Sequence, residues 1–570
     1  MLRQRNLWYL LAVGLLLMVT ALSACGPTAS TTNTGPKQGG SIIDGVQEET
    51  NSLMPAQSTE TFADLVDAAI WASLVYTNDQ FQLSPGLLTE VPSTTNGGIV
   101  VSGSTETYNL HLRPNLKWSD GQPLTSADVA FTIKTFSDPG YGDKQGFPAE
   151  DIASVDTPDA STVVIHLNKI NVAFLTLALT DPLIFTPLPQ HIYQNTAPAD
   201  IAKVFTPTVT SGPFTVTDAD HVKGDHITVK RNKNYFQAGK PYLDQVTFKF
   251  FPDAETQVKA LQAGQIDTAY FLPVTDVETL KNIPGYNLFT PKSSPNYEAW
   301  YFNMSNPTLA DPKVRQALAM SFDVKQEITT IQKGNAVPTC DDATGTFAHE
   351  ANLVSADGYC PYGPNASAKV DPAAAKALLE SDGYTMGSDG YYTKGGKTLE
   401  LRISTTAGRQ YRLDSEQLAQ AAWKNIGVKI DVNNFPSSTF FGPILFPSDH
   451  KYDKANDQWD IAEFENSIGV DPDNHLIWTS TQVPSQGGQN LTYYNNPQVD
   501  QWEAQQLQAV DQTQRKQLFH QIHEQILKDI PTFYLYSPLD LSEYKATLHN
   551  YKPDSIGPSE TWNIWDWYLS

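Results

Sequence analysis

Residues 297–328 read YEAWYFNMSNPTLADPKVRQALAMSFDVKQEI, and this stretch decides the fold. Its aromatic first part, Tyr297 to Met304, is typical of a buried strand, and Asn306-Pro307 ends that strand. Asp311 is placed to cap a helix whose first residue is Pro312, the helical position where a missing N–H costs nothing. We predict that the chain crosses here from one lobe of an α/β protein into another.

The segments on either side of this crossing show the same alternation of strands and helices. Strand-like residues at 245–251 lead into a helical segment at 254–263, then Gly264, then a strand at 266–271, which is a βαβ pattern. Residues 371–384 begin with Asp-Pro, as the helix at Asp311 does. We also predict a helix over 61–76 from its apolar spacing, a helix from residue 415 that ends near Gly427 and runs into a strand, and an α/β fold class.

The first 25 residues have the organisation of an export signal. Arg3 and Arg5 precede an apolar run from Leu7 to Leu22, which is short for a membrane span. The ending Leu-Ser-Ala-Cys at Cys25 resembles the bacterial lipobox, which implies lipid attachment at this cysteine and an extracytoplasmic, lipid-anchored protein. A signal cleaved elsewhere, or an uncleaved anchor, is the alternative. We predict a signal peptide over 1–24 and a flexible tether over 25–40.

The composition excludes several kinds of partner. The chain has 570 residues and a formal net charge of −24, which repels nucleic acid. The sequence has no G-x-S-x-G elbow, no H-E-x-x-H and no phosphate loop, so we predict no enzyme and no cofactor. His520 and His523 could bind a metal from one helix, but a solvent-facing helix surface explains them, and we predict no metal site.

Two cysteines, Cys340 and Cys360, remain in the predicted mature body. An exported protein meets an oxidising environment, so we predict a disulfide between them that stiffens the Gly/Asp-rich loop. A zinc site is disfavoured because no further cysteine or paired histidine lies close in sequence.

Several segments resemble the peptide-binding family of the extracellular solute-binding proteins of bacterial ABC importers. They follow one another from about residue 40 to the C-terminus: YNLHLRPNLKWSDGQPLTSADVAFT, SGPF with KRNKNYF, ALQAGQIDTA, FNMSNPTLADPKVRQALAMSFD, DPAAAKALLESDGY, WKNIGV and DPDN. The resemblance implies a two-lobed periplasmic-binding-protein-like fold, with a sub-lobe inserted in the first lobe. The implied boundaries are 41–80, 205–300 and 535–570 for lobe I, 81–204 for the sub-lobe and 301–534 for lobe II.

The same resemblance implies the function. The chain would be a monomeric receptor that captures peptides, or a related small solute, in the cleft between the lobes and delivers them to the membrane-spanning permease. An oligosaccharide receptor of the same family is the first alternative. A secreted glycosidase that uses two carboxylates is the second.

Charged residues of the implied ligand site lie in the second lobe. Arg409 occupies the place where dipeptide receptors carry the arginine that pairs with the ligand carboxylate, and Arg412 competes for that role. Tyr411 belongs to the same predicted set. The position that matches the receptors' amine-binding aspartate is Ile468. Either Glu463, Glu465 or Asp471 substitutes for it, or the ligand lacks an ammonium group. An ordinary Asp-Pro turn is the alternative for Asp471.

Aromatic and small residues complete the predicted site. Trp300 and Asn303 lie at the lobe crossing and Tyr536 at the return, where they could cover the ligand. Ser211 and Gly212 would let the backbone approach the ligand. Core packing of the aromatic residues and an ordinary β-turn at Ser211-Gly212 are the alternatives.

Overall fold

The structure is a computed structural model of the chain. It describes residues 36–58, 61–79, 82–180, 184–291, 296–340, 370–436, 439–447, 458–467, 470–486, 488–553 and 560–570. The predicted signal peptide, Cys25, Cys360 and most of the predicted tether lie outside the described residues. Among the described residues, no helix has both the length and the apolar character needed to cross a bilayer.

One large sheet, which we name sheet 1, takes strands from both ends of the chain. Its strands are Ser41–Val46, Phe214–Thr215, His221–Val222, His226–Arg231, Gln245–Phe250, Thr268–Leu272, Tyr286–Phe289 and Leu541–Lys545. Ser41–Val46 is central and runs parallel to Gln245–Phe250 and Thr268–Leu272. The helix Ala254–Gln262 joins the last two strands, so the predicted βαβ unit is confirmed.

A second large sheet, sheet 2, is built from the middle of the chain and one late strand. Its strands are Asn296–Phe302, Ala336–Pro338, Glu400–Ser404, Lys429–Val432, Ile461–Ser467 and Thr532–Pro538. A third sheet of four antiparallel strands, Ile99–Ser102, Thr105–His111, Ile152–Asp159 and Thr162–Leu167, lies within the predicted sub-lobe. Shorter pairings join Val75–Thr77 to Leu83–Pro85, Leu548–His549 to Tyr568–Leu569, and Tyr392–Lys394 to Thr385–Met386 and Lys397–Thr398.

Two of the helices begin at the Asp-Pro starts that the sequence predicts. The longer ones are Thr61–Ile70, Ser126–Phe136, Ala254–Gln262, Pro312–Ser321, Pro372–Ser381, Gln410–Asn425, Pro497–Gln506 and Gln512–Asp529. The shorter ones are Phe174–Leu179, Gln190–Tyr193, Pro198–Ile201, Val277–Leu280, Val324–Thr330 and His475–Trp478. Asp311 caps its helix by accepting the backbone N–H of Lys313 at 2.9 Å, and Asp371 accepts that of Ala374 at 2.8 Å.

Two helix boundaries differ from the prediction. The helix predicted over 61–76 ends at Ile70, because the next residues enter the core as extended chain and join the strand Val75–Thr77. The helix predicted from residue 415 begins at Gln410, so that Arg409 becomes its N-cap residue. Tertiary contacts override the apolar spacing at both places.

The apolar cores follow the sheets. One continuous core joins sheet 1 to the four-stranded sheet, from Ile42 through Tyr108 to Trp567. Sheet 2 has a separate core on each face, one around Trp300 and one around Phe464. The residue boundaries proposed for the lobes stay predictions.

Candidate functional site

The carboxyl ends of the parallel strands define one edge on each large sheet. In sheet 1 this edge follows Val46, and Leu541–Lys545 begins there because Leu541 pairs with Leu272. In sheet 2 the parallel strands end near Ser404 and Ser467, and Asn296–Phe302 begins there because Asn296 pairs with Ser467. The short connection at 539–540 therefore runs between the two edges. Open α/β sheets bind ligands outside the carboxyl ends of their strands, which places the candidate site between these edges.

Arg409 bridges the two edges directly. It caps the helix Gln410–Asn425 on the side of sheet 2, and its Nη1 donates to Gln47 Oε1 of sheet 1 at 2.8 Å. The guanidinium carbon also lies 5.5 Å from the ring centre of Phe271, at the end of a sheet 1 strand. Arg409 is half-buried, so guanidinium donors remain for a ligand.

Two carboxyl groups lie near Arg409 at the same edge. Asp540, in the connection between the sheets, accepts from Asn296 Nδ2 at 3.0 Å. Burial raises the pKa of Asp540 to about 7, against the opposing effects of that hydrogen bond and of Arg409. Burial, reinforced by the charge of Asp540, also raises the pKa of Glu465 well above its usual range. A cationic group entering this edge would relieve that repulsion.

Arg412 is separated from Arg409 by its hydrogen bonds. Its Nε and Nη2 donate to the two carboxylate oxygens of Glu298 at 2.8 and 3.0 Å, and its Nη1 donates to Thr406 Oγ1 at 2.9 Å. Burial lowers the pKa of Arg412, but the carboxylate of Glu298 outweighs it and holds the pKa well above the usual value. Tyr411 lies 5.3 Å from the Arg412 guanidinium. Arg412 is therefore a structural arginine.

Further glutamates lie in the interior behind this pair. Glu327, Glu416 and Glu463 are fully buried. Burial raises the pKa of Glu327 to about 8 and that of Glu416 to about 7, and it raises the pKa of Glu463 well above its usual range. Glu463 therefore lies in the core, and its predicted contact with a ligand stays a prediction.

The aromatic residues predicted to cover the ligand are core residues. Trp300 is fully buried, with ring centres 4.3 Å from Phe322 and 4.7 Å from Trp423. Tyr536 is fully buried and accepts a hydrogen bond from Gln332. Both project from the central strands into the packed face of sheet 2, which favours the core-packing alternative, and their contact with a ligand stays a prediction.

Asn303 also lies away from the site. It follows the carboxyl end of Asn296–Phe302, which runs antiparallel to Ile461–Ser467, so it lies at the opposite edge of sheet 2. Its side-chain oxygen accepts the backbone N–H of Ser305 at 3.1 Å. Asn303 is a turn residue at this opposite edge, so its position does not support the predicted ligand contact, which stays a prediction.

Asp471 is committed to an ion pair. Its two carboxylate oxygens accept from Arg515 Nη1 and Nη2 at 2.7 and 2.6 Å, in a buried position. Burial raises the pKa of Asp471, and the Arg515 guanidinium opposes that rise. Because this carboxylate is already bidentately paired, we do not carry Asp471 into the proposed ligand set.

Ser211 and Gly212 serve the packing of sheet 1. Ser211 Oγ accepts the backbone N–H of Ala72 at 3.0 Å, and the N–H of Gly212 donates to the carbonyl of Ile70 at 2.8 Å. A Cβ on Gly212 would lie 2.4 Å from the carbonyl carbon of Ile70 and 2.5 Å from Trp71 N. The absence of a Cβ at Gly212 lets the end of the helix Thr61–Ile70 approach, which favours a packing role, and the contact of Ser211 and Gly212 with a ligand stays a prediction.

The cysteine and histidine predictions have different outcomes. Cys340 is buried and disulfide-bonded, but its pairing with Cys360 stays a prediction because Cys360 lies outside the described residues. His523 is buried, which contradicts the solvent-facing surface predicted for it with His520. In the described parts of the chain, no group of His, Cys, Asp and Glu side chains is arranged to hold a metal ion.

Comparison with known proteins identifies the family. The family model described as bacterial extracellular solute-binding proteins, family 5 Middle, matches residues 82–487, which is more than half of the chain. The chain belongs to this family. This solute-binding protein is 26% identical over 579 residues to the oligopeptide-binding protein AppA of Bacillus subtilis strain 168, covering 100% of this chain and 99% of the relative.

Solved structures confirm the fold of this solute-binding protein. AppA from Bacillus subtilis, in complex with a nonapeptide, matches with a TM-score of 0.78 and 24% identity, covering 94% of this chain and 100% of that one. NikZ from Campylobacter jejuni, in complex with Ni(L-His), matches with a TM-score of 0.78 and 24% identity, covering 93% and 99%. The predicted two-lobed periplasmic-binding-protein-like fold is therefore confirmed.

The sequence prediction missed several residues of the site. Gln47 follows the first strand directly, and a polar residue at the carboxyl end of an α/β strand is the signal that could have found it. Phe271 and Asp540 have no comparable local signal, because only the pairing of strands brings them to the same edge.

Proposed function

We propose that this solute-binding protein captures a peptide between the carboxyl edges of sheets 1 and 2, and delivers it to the membrane-spanning subunits of an ABC importer. The observation that carries the proposal is Arg409, a half-buried arginine at that edge with donors left over after its contact with Gln47. The full-length similarity to an oligopeptide-binding relative supports the ligand class.

In this proposal the two ends of a short peptide bind at neighbouring points. The carboxylate accepts hydrogen bonds from the free donors of Arg409, since a planar guanidinium suits a carboxylate. The ammonium group lies near Glu465 and Asp540, whose pKa values are raised chiefly by burial, so that each carboxylate is stabilised by a cation that reaches it. An ammonium would supply that charge, at low cost because both partners are already placed.

Charged groups at the edge favour a peptide over the alternatives. A neutral oligosaccharide offers neither a carboxylate for Arg409 nor a cation for Glu465 and Asp540. A glycosidase needs two carboxylates on opposite sides of a cleft. Glu465, on the strand Ile461–Ser467, and Asp540, in the connection at 539–540, instead lie at one edge with Arg409. The family to which the chain belongs is a family of solute receptors.

The location and assembly of the protein are also part of the proposal. The Leu-Ser-Ala-Cys ending supports lipid attachment at Cys25, which would keep the receptor on the outer side of the cytoplasmic membrane. We propose that it acts as a monomer, with lobe I at 41–80, 205–300 and 535–570, the sub-lobe at 81–204 and lobe II at 301–534.

A thermal-shift screen tests the ligand assignment. Alanine peptides of two to six residues should raise the melting temperature, and oligosaccharides should not. Calorimetry should show saturable binding heats for the same peptides. Arg409→Ala should weaken binding of a free-acid peptide about tenfold or more, because a hydrogen-bonded charge is lost. The matched control is Lys424→Ala, which removes an exposed cation from the same helix. Equal affinity in Arg409→Ala and the native protein would contradict the assignment.

A further inference from the structure

Gln47 is held in one orientation by three hydrogen bonds. Its Nε2 donates to Gln257 Oε1 at 3.0 Å and to the carbonyl of Phe271 at 2.9 Å. Its Oε1 accepts from Arg409 Nη1 at 2.8 Å. Because both acceptors on the sheet 1 side require the amide nitrogen, the oxygen must point toward Arg409.

The partners of Gln47 are themselves fixed. Gln257 is fully buried on the helix Ala254–Gln262, and its Nε2 donates to the carbonyl of Gly45 at 2.6 Å. A relay of two side-chain amides therefore leads from the backbone of the central strand of sheet 1 to the guanidinium of Arg409. Each amide in it has its acceptor and donor sides assigned by the next group.

The backbone at Phe271 is strained where it serves this relay. Phe271 has a φ of +63°, a conformation rarely adopted by non-glycine residues, and the strand pairing shifts register between Ala269 and Leu272. Its carbonyl accepts from Gln47, and its ring lies 5.5 Å from the guanidinium carbon of Arg409. Strain of this kind persists where the surrounding structure fixes it, as at binding sites.

We propose that Gln47 is a positioning residue, which holds Arg409 of the opposite sheet in its ligand-binding orientation when the two edges are together. The inference rests on the proposed carboxylate role of Arg409. The acceptor on Gln47 belongs to sheet 1 and the arginine to the sheet 2 side, so separation of the edges breaks this bond. Closing and ligand binding therefore strengthen each other, as coupled equilibria must.

The energetic reason is preorganisation. A free arginine side chain loses rotamer freedom when it binds a carboxylate. Within the described residues, the bond to Gln47 is the one side-chain hydrogen bond that Arg409 makes, and with Phe271 it restricts the guanidinium before ligand arrives. The remaining donors then face a carboxylate without further ordering.

The test compares two variants of Gln47 against two forms of one ligand. The probe is the alanine peptide that gives the largest thermal shift, used as the free acid and as its C-terminal amide. Gln47→Leu should weaken binding of the free acid about tenfold, because it removes the acceptor that orients Arg409, and should weaken the amide much less, because the amide loses only the contribution of the bond to closing. Gln47→Glu keeps the shape but adds a carboxylate that pairs with Arg409, so it should weaken the free acid further and spare the amide.

Controls separate this inference from the proposed function. Gln262→Leu, at an exposed position of the helix Ala254–Gln262 that carries Gln257, should change neither the affinity for the free acid nor that for the amide. In an Arg409→Ala background, Gln47→Leu should have no additional effect on the free acid. Equal weakening of acid and amide, or additive effects of the two substitutions, would overturn the role of Gln47. If Arg409→Ala weakens the acid while neither Gln47 variant does, this inference fails and the proposed function stands.

A ligand-free measurement supplies an independent readout. Small-angle scattering of Gln47→Leu without peptide should show a larger radius of gyration than that of the native protein, because a bond between the two edges is lost. An unchanged radius together with unchanged affinity in both Gln47 variants would overturn the inference.

Discussion

Arg412 and Glu298 form a buried bidentate ion pair, with Nε–Oε1 and Nη2–Oε2 distances of 2.8 and 3.0 Å. The pair joins the helix Gln410–Asn425 to the central strand of sheet 2. Three residues earlier, Arg409 makes no ion pair with a described residue and reaches the other sheet instead. Two arginines that look alike in the sequence therefore have different tasks.

Removal of Arg412 should destabilise the protein. Arg412→Ala leaves the carboxylate of Glu298 buried and unpaired, which should lower the free energy of unfolding by about 3–5 kcal/mol. Urea denaturation followed by circular dichroism measures the change. Arg409→Ala is the matched comparison, and it should cost far less because that side chain is half-buried. Similar losses in both variants would contradict the division of tasks.

The buried glutamates beside sheet 2 should make the free energy of unfolding fall as pH rises toward neutral. The pKa of Glu327 is raised to about 8 and that of Glu416 to about 7, both by burial. A raised pKa gives stability that is complete below the unfolded value near 4.3 and is lost as pH rises through the folded value. The unfolded state releases these protons at about pH 4.3, whereas the folded state keeps them until about pH 7 or 8. The free energy of unfolding should therefore fall as pH rises from about 5 to 8, by up to about 1.4 kcal/mol per pH unit for each group, and should level off above pH 8.

A neutral replacement identifies the group responsible. Glu327→Gln cannot ionise, so its melting temperature should fall less between pH 5 and 8 than that of the native protein. The control Glu255→Gln changes an exposed glutamate and should keep the native profile. Parallel profiles for the native protein and Glu327→Gln would show that Glu327 does not titrate in this range.

Gly212 should tolerate no side chain. Gly212→Ala would bring a Cβ to within 2.4 Å of the Ile70 carbonyl carbon, so backbone must move and we expect a loss of about 3 kcal/mol or more. Ser211→Ala removes the acceptor for Ala72 N–H and should cost about 1–3 kcal/mol. Ligand affinity of the folded fraction should be unchanged in both, as calorimetry would show. A selective loss of affinity would return these residues to the binding site.

The acidic residues at the edge should select for a free amine. Glu465→Gln and Asp540→Asn together should weaken a free-amine peptide about tenfold and affect its N-acetylated form little, since only the first offers a cation. Calorimetry with the two peptides measures the difference. The control is Asp253→Asn, which changes the exposed N-cap of the helix Ala254–Gln262. Equal losses for both peptides would place the ammonium elsewhere.

Local chemistry made much of the fold predictable. The caps at Asp311 and Asp371 combine a short acceptor with a following proline, and such signals act within one turn of chain. The βαβ unit that ends in Thr268–Leu272 follows equally from strand, helix and glycine in series. These features depend on neighbours in sequence, so sequence alone indicates them.

The site was harder to predict because it depends on register. The surroundings of Trp300 and Tyr536 are decided by the face of sheet 2 that each side chain points to and by what packs on that face, and no local pattern shows this. Arg409 was found by resemblance, whereas Gln47 lies 362 positions away from it in the chain. Contacts of that range follow from the order of strands, which the sequence pattern leaves open.

Asn296 and Asp540 mark the two ends of the chain segment that builds sheet 2. Asn296 Nδ2 donates to Asp540 Oδ2 at 3.0 Å, so the segment of some 240 residues leaves sheet 1 and returns to it at neighbouring points. A recombination event, or an engineer, could exchange that whole region for its counterpart from a related receptor by matching just two adjoining splice points. New ligand preferences could thus spread through the family by exchange of this one segment. The part of the protein built around sheet 1 would be inherited unchanged, together with its surface.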